Sequence, residues 1–260
     1  NILGRKIGFD YEPVIIAEIG INHNGSLDVA HELIRQARIS DADIAKFQFY
    51  DPQKIFGPEG SYPDAEAFKQ ALTVEFRFED ARQLKTWCDE EGIEFSASVF
   101  DIERFEWTVE LDVARHKIAS RSVENRELCE RILGTGKETF VSLGMWEGED
   151  WPFGPPTDRL HYIWCRSKYP TYPEDIVALP DRFTSGAYYG YSDHCHGISA
   201  CMLAISRGAQ YVEKHFTLNK ASQVVKDHTL SATPAELREM VDLGGEVANL
   251  VHVIDGVRRA

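Results

Sequence analysis

Eight short apolar runs alternate with amphipathic runs along the chain, and this rhythm constrains the fold more than any other feature. The runs that read as strands are Val14–Gly20, Ile44–Phe49, Glu94–Val99, Val113–Ala119, Thr139–Gly144, Leu160–Cys165, Ala187–Ser192 and Tyr211–Thr217. Between most of them the apolar spacing changes from two to between three and four, the mark of a helix with one buried face. Leu27–Ile39 places Leu27, Ala30, Leu33, Ile34 and Ala37 on one side, with Ser26 positioned as its N-cap. Phe78–Glu91 repeats the pattern through Ala81, Leu84, Trp87 and Cys88. Ile102–Leu111, Asn125–Leu133, Gly197–Arg207 and Pro234–Val251 complete the helical set. Strands that alternate with helices pair in parallel. At 260 residues, eight such units predict a closed α/β (β/α)8 TIM barrel forming a single domain over 1–260. A doubly wound open sheet is the alternative, weakened because no G-x-G-x-x-G follows the first strand.

Two segments depart from the rhythm. Met145–Arg159 contains three prolines and two glycines, which forbid an ordinary helix, so a loop is expected where the barrel's fifth helix would be. Ile2–Phe9 reads as a small β-hairpin around Gly4-Arg5-Lys6 that could cap the barrel bottom. Composition narrows the function. The net charge of −14 argues against a nucleic-acid partner, which needs a basic face. No apolar run reaches the length of a membrane span, and no basic-then-apolar leader is apparent. Five cysteines, an odd number without a C-x-x-C, fit a reducing, cytoplasmic setting better than a disulfide framework.

Charged residues sit in strands that a barrel should keep apolar. Lys46 and Gln48 share one face of the second strand, opposite Ala45 and Phe47. Glu213 and His215 share a face of the eighth, Glu18 lies in the first, and the fourth ends with Lys117 and Ser120. Any one could be a strand-end residue reaching solvent. Five together at carboxyl-terminal strand ends point to an active site, because barrel sites lie there. His194 and His215 close successive strands about 4.8 Å apart, so their imidazoles could share a metal. Asp227 could add a carboxylate, and two histidines, a carboxylate and water suit Mn²⁺, Mg²⁺ or Zn²⁺. His194-Cys195-His196 offers a second, weaker metal pair.

These residues fall in runs that carry a resemblance. A-E-I-G-I-N-H-N-G (17–25), K-F-Q (46–48), K-I-A-S (117–120), S-L-G-M (142–145), Y-P-T-Y-P-E-D (169–175), G-Y-S-D-H (190–194) and E-K-H-F-T-L (213–218) occur in this order. The set resembles the sialic acid synthase (N-acetylneuraminate synthase) family, with its legionaminic, pseudaminic and spore-coat relatives, over roughly residues 2–240. The resemblance implies a barrel transferase that condenses phosphoenolpyruvate with N-acetylmannosamine or a related aldose. The products would be a 2-keto-3-deoxy sugar acid and phosphate. It implies a divalent metal on His194 and His215, with Mn²⁺ or Mg²⁺ ahead of Zn²⁺. Lys46, Lys117, Ser120 and Ser192 would hold phosphoenolpyruvate, and Glu18 and Asp227 would handle protons. Gln48, Ser167, Tyr169, Glu213 and Asn22 would stand near the sugar or metal. The expected partners are these small molecules and a second copy in a homodimer.

The chain departs from the family where the sugar should be read. No C-terminal antifreeze-like domain is expected, and a separate polypeptide replacing it is an open alternative. Ser122 stands where the family commonly has Glu, Ser167 where Asn is frequent, and Val225-Lys226 where Gly-Pro is usual. The reaction class is therefore better specified than the acceptor, and Arg121 could meet an acidic group on it. Two competing functions are a metal-dependent barrel hydrolase built on His194 and His196, and a non-catalytic or partner-dependent barrel.

Overall fold

The computed structural model describes residues 1–57 and 65–259. Eight parallel strands close into a barrel in sequential order. They are β1 (Val14–Gly20), β2 (Ile44–Phe49), β3 (Glu94–Val99), β4 (Arg115–Ile118), β5 (Glu138–Ser142), β6 (Leu160–Cys165), β7 (Tyr188–Asp193) and β8 (Tyr211–His215). β8 pairs back onto β1 with Ile16 opposite Glu213 and Glu18 opposite His215. The (β/α)8 expectation holds, and five strands agree with their expected bounds to within a residue at each end.

The helices are α1 (Leu27–Ile39), α2 (Pro52–Phe56), α3 (Ala65–Thr73), α4 (Phe78–Glu91), α5 (Ile102–Glu110), α6 (Arg126–Gly134), α7 (Ser199–Ser206) and α8 (Pro234–Arg259). Ser26 caps α1 by accepting a bond from the Val29 N–H. Ala30, Leu33, Ile34 and Ala37 are its buried face. They join Ala45, Phe47, Phe95 and their like in the layer between strands and helices. Burial of that apolar surface is the main drive for closure, at about 25 cal/mol per Å². α2 and α3, between β2 and α4, were not anticipated, and α8 runs beyond its expected end at Val251.

No helix forms between β5 and β6. The loop there is held by aromatic packing instead: Trp151 stacks on Tyr162 at 4.5 Å, and the Tyr162 hydroxyl donates to the Gly154 carbonyl. The N-terminal hairpin is corrected to a tight turn closed by one antiparallel bridge, Ile2 with Arg5. Leu3 and Gly4 at its centre both take positive φ, as a two-residue hairpin turn requires. The turn still closes the barrel bottom. Ile2 packs with Ile16, Ile44, Phe140, Ile163 and Tyr211, while Arg115 bridges Glu94 at 2.6 Å and Glu138 at 2.7 Å. All five cysteines are buried and unbonded, and among the described residues no helix is long and apolar enough to cross a membrane.

Candidate active site

Strand alternation sends one set of side chains into the helix layer and the other into the barrel. At the carboxyl-terminal end the inward set is polar. It lines a cavity of about 740 Å³ whose wall includes Glu18, Lys46, Lys117, Glu213, His194 and His215. Gln48, Ser120, Ser167, Tyr169, Ser192 and Asp227 line it too. Twelve residues expected at the site from sequence thus meet in one place.

Asn22 does not. It is buried, and its amide donates to the Phe216 carbonyl at 2.8 Å and to the Ser231 hydroxyl at 2.9 Å. Both donors are spent tying the turn after β1 to the segment after β8, and Asn22 does not line the cavity. His196 is also outside the cavity wall, exposed and set against the Thr229 carbonyl at 3.1 Å. The strand ends at Asp193, so the period-two alternation that would keep His194 and His196 on one face no longer holds, and only His194 lines the cavity.

The floor is a network of buried charges. Lys46 Nζ lies 2.6 Å from Glu18 and 3.5 Å from Glu213. Lys117 Nζ lies 3.9 Å from Glu213. Each ammonium also donates to a serine, Lys46 to Ser98 at 3.1 Å and Lys117 to Ser142 at 2.8 Å. Glu213 accepts from Ser192 at 2.9 Å and from the Tyr211 hydroxyl at 3.3 Å, and Gln48 donates to Glu18 at 2.7 Å. Ser98, Ser142 and Tyr211 were missed from sequence. Each is an ordinary residue for a strand, so only its distance to a charged partner reveals it.

Burial and pairing then divide the charges. Burial pushes the Glu18 carboxyl up despite the pull of Lys46. Burial acts the same way on Glu213, but Lys117 and Lys46 outweigh it and hold that carboxylate well below its usual range. Lys46 is opposed by burial yet held above its ordinary value by Glu18 and Glu213. Lys117 is drawn down by burial, which Glu213 offsets only in part. Two ammoniums therefore face a cavity with one firmly ionised carboxylate between them and one carboxyl able to change its proton. Such a floor accepts a small polyanion.

Beside this floor stand the two histidines, with ring centroids 5.3 Å apart. The His194 Nδ1–H donates to the Arg166 carbonyl at 2.8 Å, so the neutral ring carries its lone pair on Nε2. Tyr169 covers the same ring at 4.1 Å. His215 Nδ1 is buried without a hydrogen-bond partner, and Asp227 Oδ2 is 3.6 Å away. Burial, and then His194, push the His215 pKa well down, so its ring is neutral. A lone-pair nitrogen and an orphaned neutral imidazole fit a divalent cation that takes its remaining ligands from water and substrate. Among the described residues no group of three or more His, Cys, Asp or Glu is arranged to enclose a metal.

The rim is less charged and more apolar. Ile55, Phe56, Gln70 and Ala71 from α2 and α3 form one side, and Phe100, Arg121, Met145 and Lys226 form the other. The Arg121 guanidinium sits 5.9 Å over the Phe100 ring.

Fold and floor together define a (β/α)8-barrel protein with an anion-accepting carboxyl-terminal pocket and a histidine pair. The profile of the NeuB family matches residues 33–253, and the chain belongs to that family. It is 34% identical to an uncharacterised protein of Methanocaldococcus jannaschii, over 92% of this chain and 72% of that one. It is 32% identical to the human N-acetylneuraminate-9-phosphate synthase, over 92% of this chain and 71% of that one. Among solved structures, the N-acetylneuraminic acid (sialic acid) synthetase of Leptospira borgpetersenii, in complex with citrate, superposes with a TM-score of 0.84 at 29% identity. That match covers 95% of this chain and 88% of that one.

Proposed function

We propose that the protein is a phosphoenolpyruvate-dependent nonulosonic acid synthase. It joins phosphoenolpyruvate to N-acetylmannosamine or a related aldose and releases inorganic phosphate. The observation that carries this reading is the convergence of Lys46 and Lys117, from separate strands, on one cavity around Glu213. A hydrolase would need an activated water but has no use for two such lysines.

In this reading Lys46 and Lys117 hold the phosphate and carboxylate of phosphoenolpyruvate as point charges, and Ser98 and Ser142 fix their direction. Ser120 and Ser192 add hydroxyls at the same end. His194 and His215 would hold a divalent cation, Mn²⁺ or Mg²⁺, which when bound polarises the aldehyde oxygen as a Lewis acid. Carbon 3 of phosphoenolpyruvate then forms a bond to the aldehyde carbon. Water adds at carbon 2, the carbon–oxygen bond to phosphate breaks, and the 2-keto acid remains. Glu18, raised by burial, takes and returns a proton on that path, with Gln48 holding its carboxyl in place. Asp227, also raised by burial, stands on the aldehyde side near His215. Gln48, Ser167 and Tyr169 face the sugar, whose far end meets the Arg121 and Lys226 rim.

The direct test is phosphate release from phosphoenolpyruvate with Mn²⁺ across a panel of aldoses. The panel includes N-acetylmannosamine, its 6-phosphate, other acetamido sugars, pentoses and hexoses. Release with at least one aldose, dependent on both substrates, is expected. Silence across the panel would overturn the reading.

A further inference from the structure

We propose that a buried ion pair on the outer face of the barrel, Asp193 with Lys214, is a positioning device that sets His194 and His215 for a shared divalent cation. The proposal rests on the reading of those histidines as the metal pair. Asp193 and Lys214 are register partners on β7 and β8, and each immediately precedes one of the two histidines. Alternation turns them outward, under α7, where the layer is otherwise apolar. Both side chains are wholly inaccessible, with Asp193 Oδ2 2.6 Å from Lys214 Nζ.

An ion pair in such a place is a poor source of stability, because well-packed apolar residues of similar volume often do as well. What it does supply is direction. Asp193 Oδ1 accepts the Tyr191 hydroxyl at 2.6 Å and the Cys195 N–H at 3.0 Å. Lys214 Nζ donates to the Cys195 carbonyl as well as to Asp193. The pair therefore grips both polar groups of Cys195, the residue that follows His194. The backbone is held on both sides of His194 and tied to the residue before His215. With two imidazoles as the whole protein contribution, small errors in ring position translate directly into lost affinity.

The test uses the intact chain with Lys214→Met, Asp193→Asn and the double variant D193N/K214M. Mn²⁺ affinity is read by electron paramagnetic resonance without substrates, and imidazole ¹⁵N signals are read in the metal-free protein. Leu33→Ala in α1 serves as a control that lowers stability far from the pair. The single variants are expected to bind Mn²⁺ about 10-fold or more weakly and to shift the His194 and His215 signals. Leu33→Ala should keep wild-type affinity. The double variant leaves no unpaired buried charge, so it should fold even where a single variant does not, and it should still bind weakly. Variants that melt earlier yet bind Mn²⁺ as the wild type does would overturn the proposal and leave the metal reading intact. A wild-type protein that binds no Mn²⁺ would remove both.

Discussion

At the residue scale the floor of the cavity separates two kinds of loss. Lys117 offers the charge, while Ser142 only aims it. Under the proposed reaction, Lys117→Met should lower kcat/KM for phosphoenolpyruvate by roughly 10²-fold, the size seen when one preorganised stabilising group is removed. Ser142→Ala should lose about 5–10-fold, in line with one hydrogen bond of roughly 1 kcal/mol. Steady-state phosphate release measures both, and equal losses would show that the ammonium is not the group that binds the anion. The lysines, Glu18 and the histidines were readable in sequence because a charge inside a strand is expensive and so conspicuous. Serine carries no such signal. Ser98 and Ser142 sit in strands as small residues would, and only their distances to Lys46 and Lys117 show what they do.

At the scale of elements, the strands and six of the helices were legible because hydrophobic period and layer agree. α2 and α3 were not, since Pro52–Phe56 spans five residues and α3 buries only Phe68 and Ala71. Their placement depends on a neighbour. Gly25 has φ +80°, and a Cβ there would lie 2.2 Å from the carbonyl oxygen of Thr73, the last residue of α3. Gly25→Ala should therefore cost about 1–3 kcal/mol of local strain and push α3 away from the cavity rim. Amide exchange over 65–73 should quicken while the strands stay protected. Uniform exchange across the barrel would contradict this. The run 17–25, conspicuous in the sequence, proves on this evidence to work partly as a joint. Asn22 ties to the segment after β8, Asn24 meets His228 at 2.7 Å, and Gly25 admits α3.

At the scale of the whole molecule, two buried histidines outside the cavity wall link stability to pH. Burial lowers His23 to about 3 and His116 to about 4. Both stay neutral in the fold, whereas the unfolded chain protonates them near pH 6.5. The unfolded state then binds more protons in the window from about 6.5 down to about 4, so stability falls as pH falls there. The slope is up to ~1.4 kcal/mol per pH unit for each histidine. Urea midpoints between pH 7.5 and 4.5 measure it, and a His23→Gln, His116→Gln variant should show a visibly flatter decline. An unchanged slope would mean that other groups carry the acid sensitivity. The acidic net charge of −14 coexists with a pocket for anions because Lys46 and Lys117 act over a few ångströms inside a closed barrel.

Sequence by itself determined the barrel, the face of each strand and the charges that had to gather at one end. Those follow from local periodicity and from the penalty on a lone buried charge, both written residue by residue. The tertiary structure decided which charges pair, which serine aims which lysine, and that Asn22 ties the turn after β1 to the segment after β8. It also decided that Asp193 and Lys214 meet behind the two histidines. These are contacts between residues some 20 to 210 positions apart, set by strand register and barrel closure, and no local pattern encodes them.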